Sequence, residues 1–271
     1  MIVIKEEQSV VASSIFTINS FCSVVTKEVC KEAHVLALSI NLLYSRPIVF
    51  YCDQQTFEYF IIHKVTNLKC YVVDFVDPKK VKKHNNYHRT DAISRKMDVM
   101  AFCINKYGNS IFLDADIILL SPISGPSCCN VAFSYNCSLL SDDYSISVKN
   151  YGAFNAGMVW SSSIAFVDWW RDQYLNKKSK FYEQECLNRI PSKFTIDFFD
   201  VNHNYGFWRG GFDNIQMKSI LSFHCHLDTV FIRGIKNEWI LSSVREFRSY
   251  VLRYIKDANK GLELAINNIF V

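Results

Sequence analysis

Asp114 and Asp116 stand one residue apart inside SIFLDADIILL, a run that is otherwise apolar. An unpaired carboxylate buried among such neighbours is costly, so a pair placed there calls for a counter-charge: basic side chains, a metal ion, or both. On a strand the two aspartates would project to one side and Ala115 to the other. Two carboxylates so placed can share a divalent cation that prefers oxygen ligands. Mg²⁺ or Mn²⁺ suits them better than zinc, because no thiolate is called for. A plainer reading makes them a capping pair before the turn that Ser121-Pro122 suggests. The placement favours a site: an apolar strand before the pair, a small residue between its members.

Three further groups of residues invite chemistry. In FNAGMVW (154–160), Asn155 and Gly157 flank Ala156; a glycine lets the chain approach a ligand closely, and an Asn amide offers hydroxyls both a donor and an acceptor. In SFHCHL (222–227), His224 and His226 alternate with Cys225 facing away; neutral imidazoles ligate Mn²⁺-type ions. In FYEQECLN (181–188), Glu183 and Gln184 open an acidic, amide-rich stretch. Each has a bland counterpart: a glycine bulge, core histidines, an ordinary first helical turn.

The elements that must position these groups follow an alternating rhythm. SIFTINSF (14–21), PIVFYCD (47–53), KCYVVDF (69–75) and NSIFLDAD (109–116) read as strands, and 27–44 and 91–107 as helices. VAFSYN (131–136), AFNAGMVWSS (153–162) and KSILSFHCHL (218–227) read as later strands. Helices are expected over 164–178, 183–190 and 238–266. The rhythm predicts an α/β fold with a mostly parallel central sheet and helices on both faces, its ligands gathered beyond the carboxyl ends of the strands. Asp53, Asp74 and the Asp114/Asp116 pair each close such a strand.

Composition bounds the function. The 271 residues are 49% apolar and 21% charged, enough for one large core. A net charge of +4 is too small to argue for nucleic acid, and none is expected as a partner. No apolar stretch approaches the ~20 residues of a membrane-spanning helix. The ten cysteines show no CxxC pair, and the first residues, MIVIKEEQSVVASSIF, carry an acidic pair where a signal peptide would be apolar. The expectation is a cytoplasmic protein with reduced cysteines.

The order of the four groups resembles the nucleotide-sugar glycosyltransferases of the GT-A fold, in particular the retaining branch that includes glycogenin and the lipopolysaccharide galactosyltransferases. There, a helix with a basic residue precedes the Asp-x-Asp strand, as Lys96 in SRKMDVM precedes IFLDADIILL. A Phe-Asn-Ala-Gly segment follows, then an Asp-Gln-x-x-Leu-Asn helix, then a strand with a metal-binding His; FNAGMVW, EQECLN and SFHCHL match in turn. The resemblance implies a single domain over 1–271: a nucleotide-binding half to about 120, an acceptor and metal half over about 121–237, and a C-terminal helix over 238–271. It implies transfer of a sugar, a hexose with retention, from a nucleotide-diphosphate sugar such as a UDP-sugar to a glycan, lipid-linked or other hydroxyl-bearing acceptor.

It also implies roles. Asp114, Asp116 and His224 or His226 would hold Mn²⁺ or Mg²⁺. Lys96, Asp114, Ala115, Asp116, Asn155, Ala156 and Gly157 would bind the donor, and Glu183 and Gln184 would lie beside the reacting carbon. Two departures stand out: Glu183 replaces the family's Asp, and the glycogenin-type His-x-x-Gly-x-x-Lys-Pro-Trp ending is missing.

Two other readings remain. A phosphatase or phosphotransferase of the haloacid-dehalogenase type also uses Asp-x-Asp, but close to its N-terminus and with a later acidic pair. A non-catalytic sugar-binding module on the same fold need not keep both aspartates and both histidines. Two basic segments are left over. PKKVKKHNNYHR (78–89) reads as a solvated loop, an anion-binding one or a nuclear signal. The C-terminal helix, with Arg245, Arg248, Arg253, Lys256 and Lys260, is a surface for the domain or for peripheral membrane contact.

Overall fold

The computed structural model describes residues 14–75, 90–125, 128–135, 154–176, 183–209, 220–225, 227 and 238–270. Its centre is a seven-stranded sheet. In chain order the strands and helices that build it are β2 (Phe21–Val25), α1 (Cys30–Leu43), β3 (Ile48–Cys52), α2 (Gln54–Ile62), β4 (Leu68–Val72), α3 (Thr90–Tyr107), β5 (Ser110–Leu113), β8 (Val131–Tyr135), β9 (Phe154–Ser161), α4 (Ile164–Asn176), α5 (Gln184–Leu187) and β10 (Ile196–Phe198). The spatial order is β10-β8-β9-β5-β2-β3-β4. β4, β3, β2 and β5 pair in parallel, as do β8 and β10, while β9 runs antiparallel to both of its neighbours. The sheet is thus mostly parallel, in agreement with the strand–helix rhythm.

Strand alternation sends side chains to two cores. Phe21, Val25, Ile48 and Phe50 meet Ala33, Leu36 and Ile40 of α1 and Phe60 of α2. On the other face, Cys22, Val49, Phe112 and Phe133 meet Met97, Met100 and Ile104 of α3 and Phe166 and Trp170 of α4. Helices therefore cover both faces, which is why the central strands read as unbroken apolar runs. Asp53, one of the strand-closing carboxylates, has a local role: it caps α2, accepting from the N–H of Thr56 at 2.8 Å.

A smaller sheet builds on the end of the first. β6 (Ile117–Leu119) pairs antiparallel with β12 (Ser222–His224), which pairs in parallel with β11 (Tyr205–Gly206). Behind it pack α6 (Glu238–Ala258) and α7 (Lys260–Phe270) through Phe247, Tyr250, Val251, Ile255, Leu262 and Ile266. A two-stranded pair, β1 (Ser14–Ile15) with β7 (Cys128–Cys129), completes the described strands.

Several boundaries differ from the sequence reading. The strand expected over 14–21 is displaced, since Ser14–Ile15 and Phe21–Val25 are separate strands. Between them Asn19 is tied through its side chain to the Tyr107 carbonyl and through its N–H to Asn109, which holds the chain off a ladder. The strand expected over 109–116 stops at Leu113, because the N–H of Ile117 turns back to the Asp114 carbonyl at 3.1 Å. The helix expected over 183–190 is the short α5, with Glu183 at its N-cap position. The strand expected over 218–227 is confined, among described residues, to 222–224. The C-terminal helix is two helices, broken at Asn259. Among the described residues, no helix is long and apolar enough to cross a membrane. The basic segment 78–89 lies outside the described residues.

Candidate metal centre

Three segments distant in sequence converge at the end of β5. The N–H of Asp114 still belongs to the sheet, donating to the Gly157 carbonyl of β9 at 2.7 Å. The turn that follows carries Asp116 round to the same side, and β6 then leaves in a new direction. β12 pairs with β6 so that His224 lies opposite Ile117, and the N–H of Cys225 donates to the Asp116 carbonyl at 2.8 Å. The two carboxylates are therefore brought together by a turn, whereas the sequence had suggested strand alternation.

In this arrangement His224 Nε2 is 3.0 Å from Asp116 Oδ1 and 3.9 Å from Asp114 Oδ2. One ligand atom from each of Asp114, Asp116 and His224 falls within 4.8 Å of the others, a group that could hold a metal ion. Two carboxylate oxygens and one imidazole nitrogen form a hard-to-borderline donor set, which fits Mg²⁺ or Mn²⁺. Burial alone would lower the His224 pKa, but the Asp116 carboxylate, aided by Asp114, holds it above the usual value. Cys225 is buried in the apolar cluster behind the small sheet, its thiol donating to the Asp116 main-chain carbonyl at 3.5 Å. His226 lies outside the described residues, so among those described the imidazole at the site is His224.

The counter-charge asked for by the aspartates is present. Lys96 of α3 places its ammonium 2.9 Å from Asp114 Oδ1 and 2.5 Å from Glu183 Oε1, above the ring of Phe112. Burial would lower its pKa, yet Asp114 and Glu183 together hold it above the usual lysine value. Glu183 is fixed in turn: its side chain is 6% exposed and its carbonyl accepts from Trp170 Nε1 at 3.0 Å. Gln184, the first residue of α5, is half-buried.

Gly157 lies against the triad. A Cβ there would come within 2.7 Å of His224 Cε1 and 2.8 Å of Asp114 Oδ2. Asn155 turns its side-chain oxygen to the Gly157 N–H at 2.8 Å. The alanines of the two motifs point elsewhere: Ala115 belongs to the core beneath α1 and Ala156 to the core beneath α3 and α4. Their contact with a ligand would have to be through the main chain.

Two neighbours were not legible in the sequence. Asn204 reaches both Asn155 and His224 with its side chain. The Trp208 ring meets His224 edge-to-face at 4.9 Å. Both lie in a stretch, VNHNYGFW, that carries no spacing pattern; its one signal is a cluster of Asn and Gly, residues that tolerate positive φ.

No protein-family model and no curated protein matches the chain. Solved structures do. The glycosyltransferase GlyE of Streptococcus pneumoniae TIGR4 superposes with a TM-score of 0.55 at 13% identity, over 94% of this chain and 64% of that one. The WbbM bifunctional glycosyltransferase, in its apo structure, gives 0.52 at 13% identity, over 94% of this chain and 52% of that one. The galactosyltransferase LgtC, in complex with donor and acceptor sugar analogs, aligns more loosely, at 0.47 and 12% identity over 76% of this chain and 86% of that one. The chain thus spans 64% of the length of GlyE and 52% of that of WbbM. At such identities the likeness to GlyE and WbbM establishes the fold alone, a mostly parallel α/β sheet on the GT-A plan.

Proposed function

We propose that the chain is a metal-dependent glycosyltransferase that moves a sugar from a nucleotide-diphosphate sugar, a UDP-sugar in the first instance, to a hydroxyl of a glycan or lipid-linked acceptor. The observation that carries this reading is the convergence of Asp114, Asp116 and His224 on one point beside the largely buried Lys96, on this fold. Asp114, Asp116 and His224 would hold Mn²⁺ or Mg²⁺. When bound, the ion would neutralise charge developing on the diphosphate leaving group.

The side chains do the rest. Lys96 holds Asp114 in place and contributes a fixed positive charge that needs no reorganisation as the leaving group departs. Glu183 keeps that ammonium charged and aimed, so its role is to position Lys96; its own carboxylate is too buried and too tightly paired to attack a sugar carbon. Gln184, more open, is assigned to the donor-sugar side. Gly157 leaves space beside the triad where the donor can approach, and Asn155 shapes that space. Hexose transfer, a retaining outcome and a cytoplasmic setting complete the proposal.

A thermal-shift panel of UDP, GDP, CDP and their sugars, each with and without Mn²⁺, tests the reading. The expected result is stabilisation by one nucleotide family that requires metal and disappears in Asp116→Asn. Equal stabilisation with and without metal, or in the variant, would refute it.

A further inference from the structure

Asn204 sits between the metal centre and the FNAG segment, in a stretch the sequence leaves unremarked. It is fully buried, and its φ of 55° is one that few residues other than glycine adopt. Its main chain is clamped as well. The Asn204 N–H donates to Ser222 Oγ at 2.7 Å, and the next two residues, Tyr205 and Gly206, pair with Phe223 and His224. A backbone held in this uncommon conformation and a side chain with no exposure both point to a specific task.

The hydrogen bonds define it. Asn204 Nδ2 lies 2.9 Å from Asn155 Oδ1, and Asn204 Oδ1 lies 2.9 Å from His224 Nδ1. The main-chain N–H of Gly157 meets the same Asn155 atom at 2.8 Å. A main-chain N–H can only donate, so that atom of Asn155 is its oxygen. The Asn204 group facing it is then the NH₂, and the group facing His224 is the carbonyl oxygen. An oxygen acceptor requires a proton on His224 Nδ1. Nε2, 3.0 Å from Asp116 Oδ1, is left as the ring atom presented to the triad. One unambiguous donor on the glycine thus sets, through two amides, which nitrogen of the histidine faces Asp114 and Asp116.

We infer that Asn204 is a positioning residue for the metal centre: by accepting from Nδ1 it fixes the orientation and tautomer of His224, so that Nε2 is the metal-binding atom. The inference rests on the reading that Asp114, Asp116 and His224 hold a divalent cation. It goes further in naming a residue outside the motifs, and in coupling the metal centre to Asn155 and Gly157 on the donor side. Partners of this kind typically change metal affinity by about 10–100-fold when removed.

Mn²⁺ titration of the full chain, read by the electron paramagnetic resonance signal of the free ion, tests it on wild type, Asn204→Gly and Asn204→Asp. Glycine adopts φ 55° without strain, so Asn204→Gly removes the side chain and leaves the turn. Asn204→Asp keeps an oxygen for Nδ1 and loses the donor to Asn155. The expected result is Mn²⁺ binding by wild type, weakened about 10-fold or more in Asn204→Gly and substantially recovered in Asn204→Asp. A second readout uses Mg²⁺-saturated chain labelled with ¹⁵N-histidine. A slowly exchanging His224 Nδ1–H is expected in wild type and Asn204→Asp and lost in Asn204→Gly. Wild-type affinity in Asn204→Gly, or Asn204→Asp no better than Asn204→Gly, would overturn the positioning role alone. A wild type that takes up no Mn²⁺ would overturn this inference and the metal-dependent reading together.

Discussion

A Cβ on Gly157 would lie 2.7 Å from His224 Cε1, 2.8 Å from Asn155 Oδ1 and 2.8 Å from Asp114 Oδ2, so even alanine must push apart three groups that define the site. Gly157→Ala is expected to cost about 1–3 kcal/mol of stability by overpacking. It should also weaken Mn²⁺ binding more than tenfold, measured by urea unfolding and by metal titration. Lys96→Met makes the complementary test. It leaves the Asp114 and Glu183 carboxylates with no ammonium between them, and removing one partner of a buried ion pair costs about 3–5 kcal/mol. Asp114 is a quarter exposed, which places this case at the lower end. Glu183→Gln added to Lys96→Met should recover part of the loss; strict additivity would show that Lys96 and Glu183 are energetically independent. The sequence reading picked out Asp114, Asp116, Asn155, Gly157, Lys96, Glu183 and the pair His224 and His226 without choosing between them, because each sits in a motif whose order can be matched. Asn204 escaped because its role depends on a left-handed backbone and on contacts 49 and 20 positions away.

At the scale of elements, strand and helix cores were legible from apolar periodicity while their ends were not, and the ends turn out to be set by single polar side chains or single main-chain bonds. Asn19 ends a predicted strand by bonding across to the Tyr107 carbonyl. The turn after Leu113 depends on a main-chain bond that no residue type announces. The C-terminal helical pattern runs on in the sequence without interruption, yet Asn259 divides it. Its side-chain oxygen accepts from the Leu262 N–H at 3.0 Å and caps α7, while its own N–H closes α6 on the Ile255 carbonyl. Asn259→Ala is therefore expected to destabilise the chain by about 1 kcal/mol through loss of the cap, measured by chemical denaturation. Most described apolar residues of the two helices pack in the cluster behind the small sheet, Leu264 being exposed, so among the described residues the outer side of α6 presents chiefly charge, from Arg245, Arg253 and Lys256.

For the molecule as a whole, the parallel sheet with helices on both faces was readable from the strand–helix rhythm, but the reversed strand β9 was not. Apolar patterning reports burial and carries no information on strand direction. Acid sensitivity is a property of the whole fold. His203 has no exposed surface, and among the described residues its Nε2 has no hydrogen-bond partner. Burial, with a smaller push from Arg209 against a pull from Asp200, lowers its pKa from 6.5 to about 4. His34 is lowered to about 4 as well, by burial and then by His63. Because the unfolded chain binds these protons more readily, their contribution is intact above pH 6.5 and is lost as pH falls from 6.5 towards 4. For His203 the loss is roughly 3 kcal/mol at most. Unfolding free energies measured across that window should fall towards acid, and His203→Gln should flatten the slope. An unchanged slope would show that His203 titrates normally in the fold.

The Asp116 carbonyl and the Cys225 N–H that close the site belong to residues 109 positions apart. Such a contact forms only after a long loop has closed, an entropic step that local contacts cannot speed. Folding of the metal-free chain must therefore be largely complete before the two aspartates and the histidine meet, and the ion has nothing to grip in the early ensemble. Mn²⁺ should then leave the refolding rate unchanged and act entirely by slowing unfolding. Stopped-flow folding and unfolding arms recorded at several Mn²⁺ concentrations would show one limb fixed and the other displaced. On the proposed metal-dependent reading, scarcity of the ion in a cell would shorten the life of the folded protein without delaying its birth.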